Sequence, residues 1–314
     1  MTNLDRLLKQ ACGSVLMVRP KKFSLNPETA DSNSFQSRES LVEDKDLDAL
    51  ACEEFDNMVR VLREEGVDIM LFDAQREDTP DALYPNNWFS THDDGRVFVY
   101  PMEAENRRRE RRFDIFSELV DRGCQIDQVT DLSFHENDGS FLESTGSMVL
   151  DRIEKKVYAC KSSRTNKELL EEFANMIGYQ VVLFEAADGE GADIFHTNMM
   201  MSIGASFVII CSEVIGDLKE RGKVLESLEA TGRVVIDINL EQLYSFAGNV
   251  LQIRNKKGES LIIISKRGFS SMSGEQRDVL RRYGKVLAIP VNFIESCGGG
   301  GVRCMMAEVA LPKG

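Results

Sequence analysis

The chain has 314 residues, of which 42% are hydrophobic and 29% charged, with 52 acidic residues against 38 basic ones. This composition is typical of a folded globular protein and excludes disorder over most of the chain. The net charge of −14 disfavours binding to nucleic acid or to an anionic membrane surface, and no apolar run approaches the roughly 20 residues of a membrane-spanning helix.

The compartment is predicted from the start of the chain and from its cysteines. The first residues are too polar for a secretory signal, and the seven cysteines are odd in number and include no CxxC pair. We therefore expect a cytoplasmic protein without a disulfide framework or a zinc ribbon.

Predicted strands and helices alternate along most of the chain. Strands are predicted, in chain order, at 97–101, 147–151, 156–160, 180–186, 199–204, 206–210, 234–239, 250–253, 261–265 and 305–311. Helices are predicted where apolar residues recur at spacings of three and four, at 106–123, 165–179, 217–232 and 273–284. This alternation predicts an α/β fold.

Short polar motifs that lead into apolar strands mark a repeat. The markers are 56, 53, 53 and 55 residues apart and are Asn87, Glu143, His196, Asn249 and Cys304. Together with the similar contents of each interval, this spacing predicts five ββαβ-like units of about 54 residues. Such units close into a ring or stack, with strands inside and helices outside, so the five markers are expected to converge at one end of the inner strands.

Two of the markers also stand out by their local sequence. Cys304 follows the run GGGGVR, in which glycines allow close approach to a ligand and Arg303 favours a thiolate; the alternative is a tight turn with an incidental cysteine. His196 belongs to a polar HTN motif at the start of an apolar run, which packing alone explains poorly.

These features together resemble the pentein superfamily, the five-bladed α/β propellers of guanidine-modifying enzymes. Within it, the chain is most similar to the citrulline-utilisation hydrolase branch, and the resemblance extends from about residue 17 to residue 312. The stretches that carry it include YPNNWFSTHDDG, LESTGSMVLDR, SSRTN, FHTNMMMSIG, FAGNVL and GGGGVRCMMAEVALP.

The resemblance implies a single catalytic domain over residues 1–314 and a covalent mechanism without metal or organic cofactor. Cys304 corresponds to the cysteine that attacks a guanidine or urea carbon, His196 to the histidine that moves protons, and Glu143 to the acid that orients the histidine or pairs with substrate.

Substrate-binding residues are also implied by the resemblance. Arg164 and one arginine of the run 107–109, for which we take Arg108, would hold the substrate carboxylate, with Asn249 and Arg303 also at the site. The alternative for the arginine run is a solvated helix face with internal ion pairs.

Two positions depart from the pattern of arginine deiminases. Asn87 and Asn198 stand where those enzymes use aspartates to bind the guanidinium cation. An amide matches a neutral ureido group, which both donates and accepts hydrogen bonds, better than it matches a donor-only cation. We therefore predict cleavage of citrulline to ornithine, ammonia and carbon dioxide. A shifted alignment would instead let Asp93, Asp94 or Asp193 bind a guanidinium.

Other functions stay open at this stage. The alternatives are a guanidino hydrolase acting on arginine, methylarginine or agmatine, an amidinotransferase, and a non-catalytic pentein-fold binding protein. The expected partner is a small amino-acid substrate, with neither nucleic acid nor membrane. A homodimer, and a lid formed by residues 19–40, are further hypotheses.

Overall fold

The computed structural model describes residues 1–30, 33–36 and 46–314. Part of the expected lid segment 19–40 therefore lies outside the described residues.

The described strands form five separate three-stranded sheets with one shared pattern. In each sheet the inner strand is antiparallel to the middle strand, which is parallel to the outer strand. Four sheets follow chain order: β3 (Phe89–Thr91), β4 (Arg96–Val99) and β5 (Gln128–Asp131); β6 (Val149–Asp151), β7 (Lys156–Cys160) and β8 (Gln180–Phe184); β9 (Met201–Ile203), β10 (Phe207–Ile210) and β11 (Val234–Asp237); β12 (Leu251–Arg254), β13 (Ser260–Ser265) and β14 (Lys285–Ile289).

The fifth sheet is built from both ends of the chain. Its inner strand is β15 (Ala307–Val309), which pairs with β1 (Ser14–Arg19), and β1 pairs in parallel with β2 (Asp68–Asp73). The last predicted unit is thus completed by N-terminal residues, since β1 and β2 supply its middle and outer strands. Pairing the two ends of the chain in one sheet leaves no terminal strand without a neighbour.

Helices connect the parallel strands and flank the inner ones. They are α1 (Asn3–Gln10), α2 (Leu47–Glu64), α3 (Glu105–Arg108), α4 (Asp114–Asp121), α5 (Ser144–Ser147), α6 (Lys167–Ile177), α7 (Thr197–Met200), α8 (Leu218–Glu229), α9 (Leu240–Tyr244), α10 (Lys266–Ser271), α11 (Gly274–Tyr283) and α12 (Asn292–Gly298).

Capping residues explain where the crossover helices begin and end. The side chain of Asn166 accepts a hydrogen bond from the backbone N–H of Leu169 at the start of α6, and Gly178 ends that helix in the left-handed conformation. The predicted helices at 165–179, 217–232 and 273–284 lie where α6, α8 and α11 are found. The predicted helix 106–123 is two helices, because the chain turns inward between α3 and α4 and buries Glu110 against Arg107.

The inner strands place one end of every sheet near the same group of loops. The five marker residues each precede or begin the segment that leads into β3, β6, β9, β12 or β15. A large buried cluster of apolar residues packs below these loops and joins several sheets. The fold is α/β, as predicted. The five sheets do not close into a barrel within the described residues, and their arrangement as a five-bladed propeller stays a prediction. No helix in the described parts of the chain is long and apolar enough to cross a membrane.

Candidate active site

A buried histidine–carboxylate pair lies where two inner strands begin. Nε2 of His196 is 2.8 Å from Oε2 of Glu143, and the other carboxylate oxygen accepts the backbone N–H of Glu103 at 3.1 Å. His196 stands just before α7 and Glu143 just before α5, and neither side chain is more than 3% exposed. One hydrogen bond therefore joins two residues that are 53 positions apart in the sequence.

Charge and burial set the protonation of this pair. Burial alone would raise the pKa of the Glu143 carboxyl, but the guanidinium of Arg164 and the hydrogen bond from His196 hold that pKa well below its usual range. Burial lowers the pKa of His196 to about 4, against the opposing effect of Glu143. At neutral pH the pair is a carboxylate and a neutral imidazole. With Nε2–H donated to Glu143, Nδ1 keeps its lone pair and can act as a base.

The thiol of Cys304 is held by amide groups. Nδ2 of Asn249 is 3.3 Å from Sγ and Nδ2 of Asn198 is 3.6 Å from it. Asn249 is itself fixed, because it donates to the carbonyl of Asn198 at 3.0 Å and accepts the backbone N–H of Arg303 at 3.0 Å. Burial raises the pKa of Cys304, and the hydrogen bond from Asn249 only partly offsets this. The resting group is consequently a thiol.

His196 and Cys304 line one small cavity. Its lining residues are Thr29, Asn33, Asp81, Tyr84, Asn87, Arg107, Arg164, Phe195, His196, Met199, Gly298, Gly299, Gly300 and Cys304. Its volume is about 20 Å³, which is room for one water molecule. Thr29 and Asn33 belong to the expected lid segment, and Phe35 of that segment packs on Phe195 and Phe246. The lid hypothesis is not tested by these contacts and stays a prediction.

The glycine run contributes by close packing. A Cβ on Gly301 would lie 2.6 Å from Oδ1 of Asn249, and one on Gly298 would lie 2.2 Å from the Tyr84 hydroxyl. The glycines thus let the loop before Cys304 approach these side chains.

Arg107, rather than Arg108, is the arginine of its run that reaches the cavity. Arg107 is buried, binds Glu110 through two hydrogen bonds of 3.0 and 3.1 Å, and donates to Oδ1 of Asn87 at 3.1 Å. Arg108 instead donates to the backbone carbonyls of Met102 and Glu103. Successive residues of a helix point about 100° apart, so only one of the two can face the cavity.

The two other predicted arginines also separate. Arg164 lines the cavity, lies 3.6 Å from Glu143, and stacks over the ring of Phe195. The side chain of Arg303 turns away, to the carbonyl of Met306 and the carboxylate of Glu308. Its positive charge still lowers the pKa of Cys304, although less than burial raises it. Arg303 does not line the cavity, so its predicted contact with the substrate is not supported by this geometry.

The carboxylate in the cavity comes from a residue that sequence reasoning missed. Oδ2 of Asp81 accepts a hydrogen bond of 2.7 Å from Asn26, whereas Oδ1 is buried with no hydrogen-bond partner among the described residues. Asp81 stands six residues before Asn87, just upstream of the YPNN motif, and this proximity is the signal that could have identified it. None of Asp93, Asp94 and Asp193 lines the cavity, so the shifted alignment is not supported.

Asn87 has a fixed orientation. Arg107 can only donate, so the oxygen of the Asn87 amide must face it, and Nδ2 points the other way, buried without a partner among the described residues. Gly146 gives this amide and His196 their space, because a Cβ there would lie 2.3 Å from Asn87 Nδ2. The described residues contain no group of three metal-ligating side chains.

A buried thiol with amide donors and a His–Glu pair, on an α/β fold of five three-stranded sheets, define the class of pentein C–N hydrolases. The chain belongs to the family described as N,N dimethylarginine dimethylhydrolase, eukaryotic, which matches residues 19–311. That family is named for dimethylarginine, so the finer resemblance to the citrulline branch is not confirmed. No curated protein sequence matches the chain significantly.

Solved structures share the fold. One is ArgZ, an arginine dihydrolase from the ornithine–ammonia cycle in cyanobacteria, at 16% identity and a TM-score of 0.72 over 96% of this chain. The chain spans 41% of that full-length protein but 98% of its substrate-bound N-terminal domain, where the identity is 17% and the TM-score 0.72. Another is a dimethylarginine dimethylaminohydrolase with an S-methyl-L-thiocitrulline adduct, at 18% identity and a TM-score of 0.65, covering 95% of this chain and 100% of that one. At these identities the likeness establishes the fold alone.

Proposed function

We propose that the chain is a cysteine-dependent hydrolase of free guanidino amino acids, either arginine or its methylated forms. The observation that carries this proposal is the buried Cys304 thiol, held by amide donors, in one cavity with His196, which is hydrogen-bonded to Glu143. The family match supports the same reaction class.

The state of the thiol favours a cationic substrate over a neutral one. Burial raises the pKa of Cys304, and no cationic side chain of the described residues donates a hydrogen bond to its sulphur. A bound guanidinium brings a positive charge beside Sγ and so favours the thiolate. A ureido group is neutral and gives no such help.

The reaction then proceeds in two steps. The Cys304 thiol gives its proton to Nδ1 of the neutral His196, and the resulting thiolate attacks the guanidino carbon, so that an S–C bond forms. The C–N bond to the departing amine then breaks as His196 delivers that proton to the amine. In the second step His196 takes a proton from water, the oxygen attacks the same carbon, and the S–C bond breaks. Asymmetric dimethylarginine gives citrulline and dimethylamine, and arginine gives citrulline and ammonia.

The rest of the cavity suits the two ends of an amino acid. The guanidinium of Arg164 is positioned to bind an α-carboxylate, and the unpartnered Oδ1 of Asp81 can accept from an α-ammonium group. A cavity of about 20 Å³ cannot admit such a substrate, so part of its lining has to move before the substrate binds, and Thr29 and Asn33 belong to the segment that we propose as a lid.

Product analysis tests this function directly. Purified protein is offered asymmetric dimethylarginine, arginine and agmatine, and amines, citrulline and ornithine are separated by mass spectrometry. We expect citrulline from an amino-acid substrate and little turnover of agmatine, which lacks the carboxylate. Cys304→Ala should lose about 10³-fold or more in kcat, and Cys52→Ala, which removes a half-buried thiol from α2, should retain activity. No turnover of any substrate, with Cys304 unreactive to alkylation even at alkaline pH, would instead favour a binding protein.

A second candidate, hydrolysis of citrulline to ornithine, is favoured by one observation. Nδ2 of Asn87 is a buried donor without a partner among the described residues, and a ureido oxygen is an acceptor whereas a guanidinium has none. Citrulline supplied directly should then yield ornithine and ammonia, and Asn87→Asp should abolish this activity while keeping that on arginine. Absence of ornithine under conditions that turn over arginine would exclude the second candidate.

A further inference from the structure

A larger cavity lies at the opposite end of the inner strands from Cys304. It has a volume of about 440 Å³, within the range of small-molecule sites, against about 20 Å³ for the active-site cavity. It is lined by Arg254 at the end of β12, by Arg152 after β6 and by Val309 at the end of β15, whereas Asn249, Glu143 and Cys304 precede these same strands. A strand of four residues puts about 13 Å between the two cavities.

The lining is cationic in a strongly acidic chain. Five of its side chains are basic and two are acidic; they are Lys9, Arg152, Arg254, Lys256, Lys313, Asp68 and Asp93. Asp68 is already engaged by the Ser14 hydroxyl at 2.7 Å and by Lys313 at 2.9 Å. Its remaining oxygen lies 4.0 Å from Lys256. Of the two acidic side chains in the lining, the exposed Asp93 therefore remains to oppose the positive charge of the basic ones.

The arginines carry more positive charge than their partners remove. One carboxylate, Glu308, serves both Arg303 at 3.1 Å and Arg152 at 3.6 Å. Arg254 donates through Nε to the backbone carbonyl of Ala11 at 2.9 Å, and no carboxylate of the described residues lies within ion-pair distance of it. Burial raises the pKa of the neighbouring Cys12 thiol to about 12, so that thiol stays neutral and offsets none of this charge.

The guanidinium groups are held in place before any ligand arrives. The Ala11 carbonyl fixes Arg254, and the guanidinium of Arg152 lies 3.6 Å from the carboxylate of Glu308. A guanidinium presents a rigid fork of donors that matches the oxygens of a phosphate or a carboxylate.

We propose that this cavity is a second binding site, for a small polyanion whose oxygens bind the guanidinium groups of Arg152 and Arg254 and the lysines at the rim. The shared chemistry is several oxyanion oxygens on one small molecule, carried by a phosphorylated metabolite or by a polycarboxylate.

Thermal-shift and calorimetric titrations test the proposal with tripolyphosphate and citrate as probes, at constant ionic strength with sodium chloride as reference. We expect a probe to raise the melting temperature of the wild type above the chloride reference. Arg254→Gln should weaken its affinity about tenfold or more. The matched control is Arg281→Gln, which removes an exposed arginine of α11 that pairs with Asp278, and it should bind as wild type does.

Each outcome of these titrations either supports or overturns the proposed anion site. Binding of tripolyphosphate alone supports a phosphorylated ligand, binding of citrate alone a polycarboxylate, and binding of both the shared oxyanion site. Equal affinity in Arg254→Gln and wild type, or no binding by either probe, overturns the proposal. Loss of binding in Arg164→Gln but not in Arg254→Gln also overturns it, because the anion then occupies the active site. Lys256→Gln, an exposed rim change, supplies the same comparison if Arg254→Gln does not fold.

Discussion

At the residue scale, the protonation states of Cys304 and His196 determine how the reaction begins. Burial raises the thiol pKa and lowers the imidazole pKa to about 4, so the free protein holds a neutral thiol and a neutral imidazole near pH 7. This differs from a thiolate–imidazolium pair, in which both groups are charged before substrate binds. The positive charge of a bound guanidinium then helps to convert the Cys304 thiol into the reactive thiolate.

Alkylation of Cys304 should therefore be slow at neutral pH in the free protein. Its rate with iodoacetamide should rise with pH and reach half its maximum above pH 9, because only the thiolate reacts. Peptide mass spectrometry gives the rate at Cys304 itself. A rate that reaches its plateau below pH 7 would contradict the neutral resting state.

The buried carboxyl of Glu295 on α12 differs from that of Glu143, because it is protonated at neutral pH. Neither of its oxygens has a donor in good hydrogen-bond geometry among the described residues, and burial raises its pKa to about 8 against the weaker opposing effects of the nearby Ser265 and Arg267 side chains. The folded state therefore keeps a proton that the unfolded chain loses above its ordinary pKa near 4.5. The resulting stability is present at low pH and is lost as pH rises from about 4.5 to 8.

Glu295→Gln should accordingly flatten the dependence of stability on pH. The fall in melting temperature between pH 6 and 8.5 should be smaller in the variant than in the wild type, because the amide has no proton to lose. Glu226→Gln, on the exposed side of α8, is the control and should leave the slope unchanged. An unchanged slope in Glu295→Gln would mean that Glu295 does not titrate in this range.

At the scale of elements, the one-turn helices α5 and α7 determine which side chains meet. Each comes between a marker residue and an inner strand, so Glu143 and His196 approach each other where the two helices pack together. Gly146 in α5 stands where a side chain would collide with both Asn87 and His196.

Gly146→Ala should thus lower activity without unfolding the chain. The added Cβ would lie 2.9 Å from the His196 ring, and displacement of a catalytic group by about 1 Å costs on the order of 10²-fold in rate. Gly222→Ala is the matched change in the open interior of α8, and there alanine should stabilise the fold by about 0.5–1 kcal/mol with activity unchanged. Steady-state kinetics and denaturant unfolding measure the two effects. Wild-type activity in Gly146→Ala would show that the site tolerates this crowding.

At the scale of the whole molecule, a buried ion pair joins neighbouring sheets. Asp151 at the end of β6 binds the two guanidinium nitrogens of Arg233, just before β11, at 2.7 and 2.8 Å, and both side chains are fully buried. Arg233 also donates to the carbonyl of Gly204. Removal of one partner would leave the other charge buried and unpaired.

Asp151→Ala should reduce the free energy of unfolding by about 3–5 kcal/mol, since the Arg233 charge then lacks its carboxylate. Asp278→Ala, which breaks an exposed pair with Arg281 on one helix, should cost at most about 1 kcal/mol. Urea denaturation of both variants makes the comparison. Similar losses in the two would indicate that the buried pair contributes no more than a surface one.

The repeat could be recognised from the sequence without a structure, and it predicted that residues far apart in the chain would lie close together. Regular spacing of the markers, each before an apolar strand, was enough to expect Glu143, His196, Asn249 and Cys304 at one end of the inner strands, because equivalent positions of repeated units occupy equivalent places. It also fixed the position of the crossover helices α6, α8 and α11, whose apolar spacing and capping residues are local signals.

Which side chains reach the cavity, and which strands complete the fifth sheet, became clear from the tertiary structure alone. Arg107 and Arg108 are adjacent and chemically identical, so sequence could not tell which faces inward; Asp81 lies in an irregular turn with no periodic signal. The fifth sheet joins residues almost 300 apart, and the cationic cavity gathers side chains from both ends of the chain. These features depend on side-chain direction and long-range pairing, which local patterns do not encode.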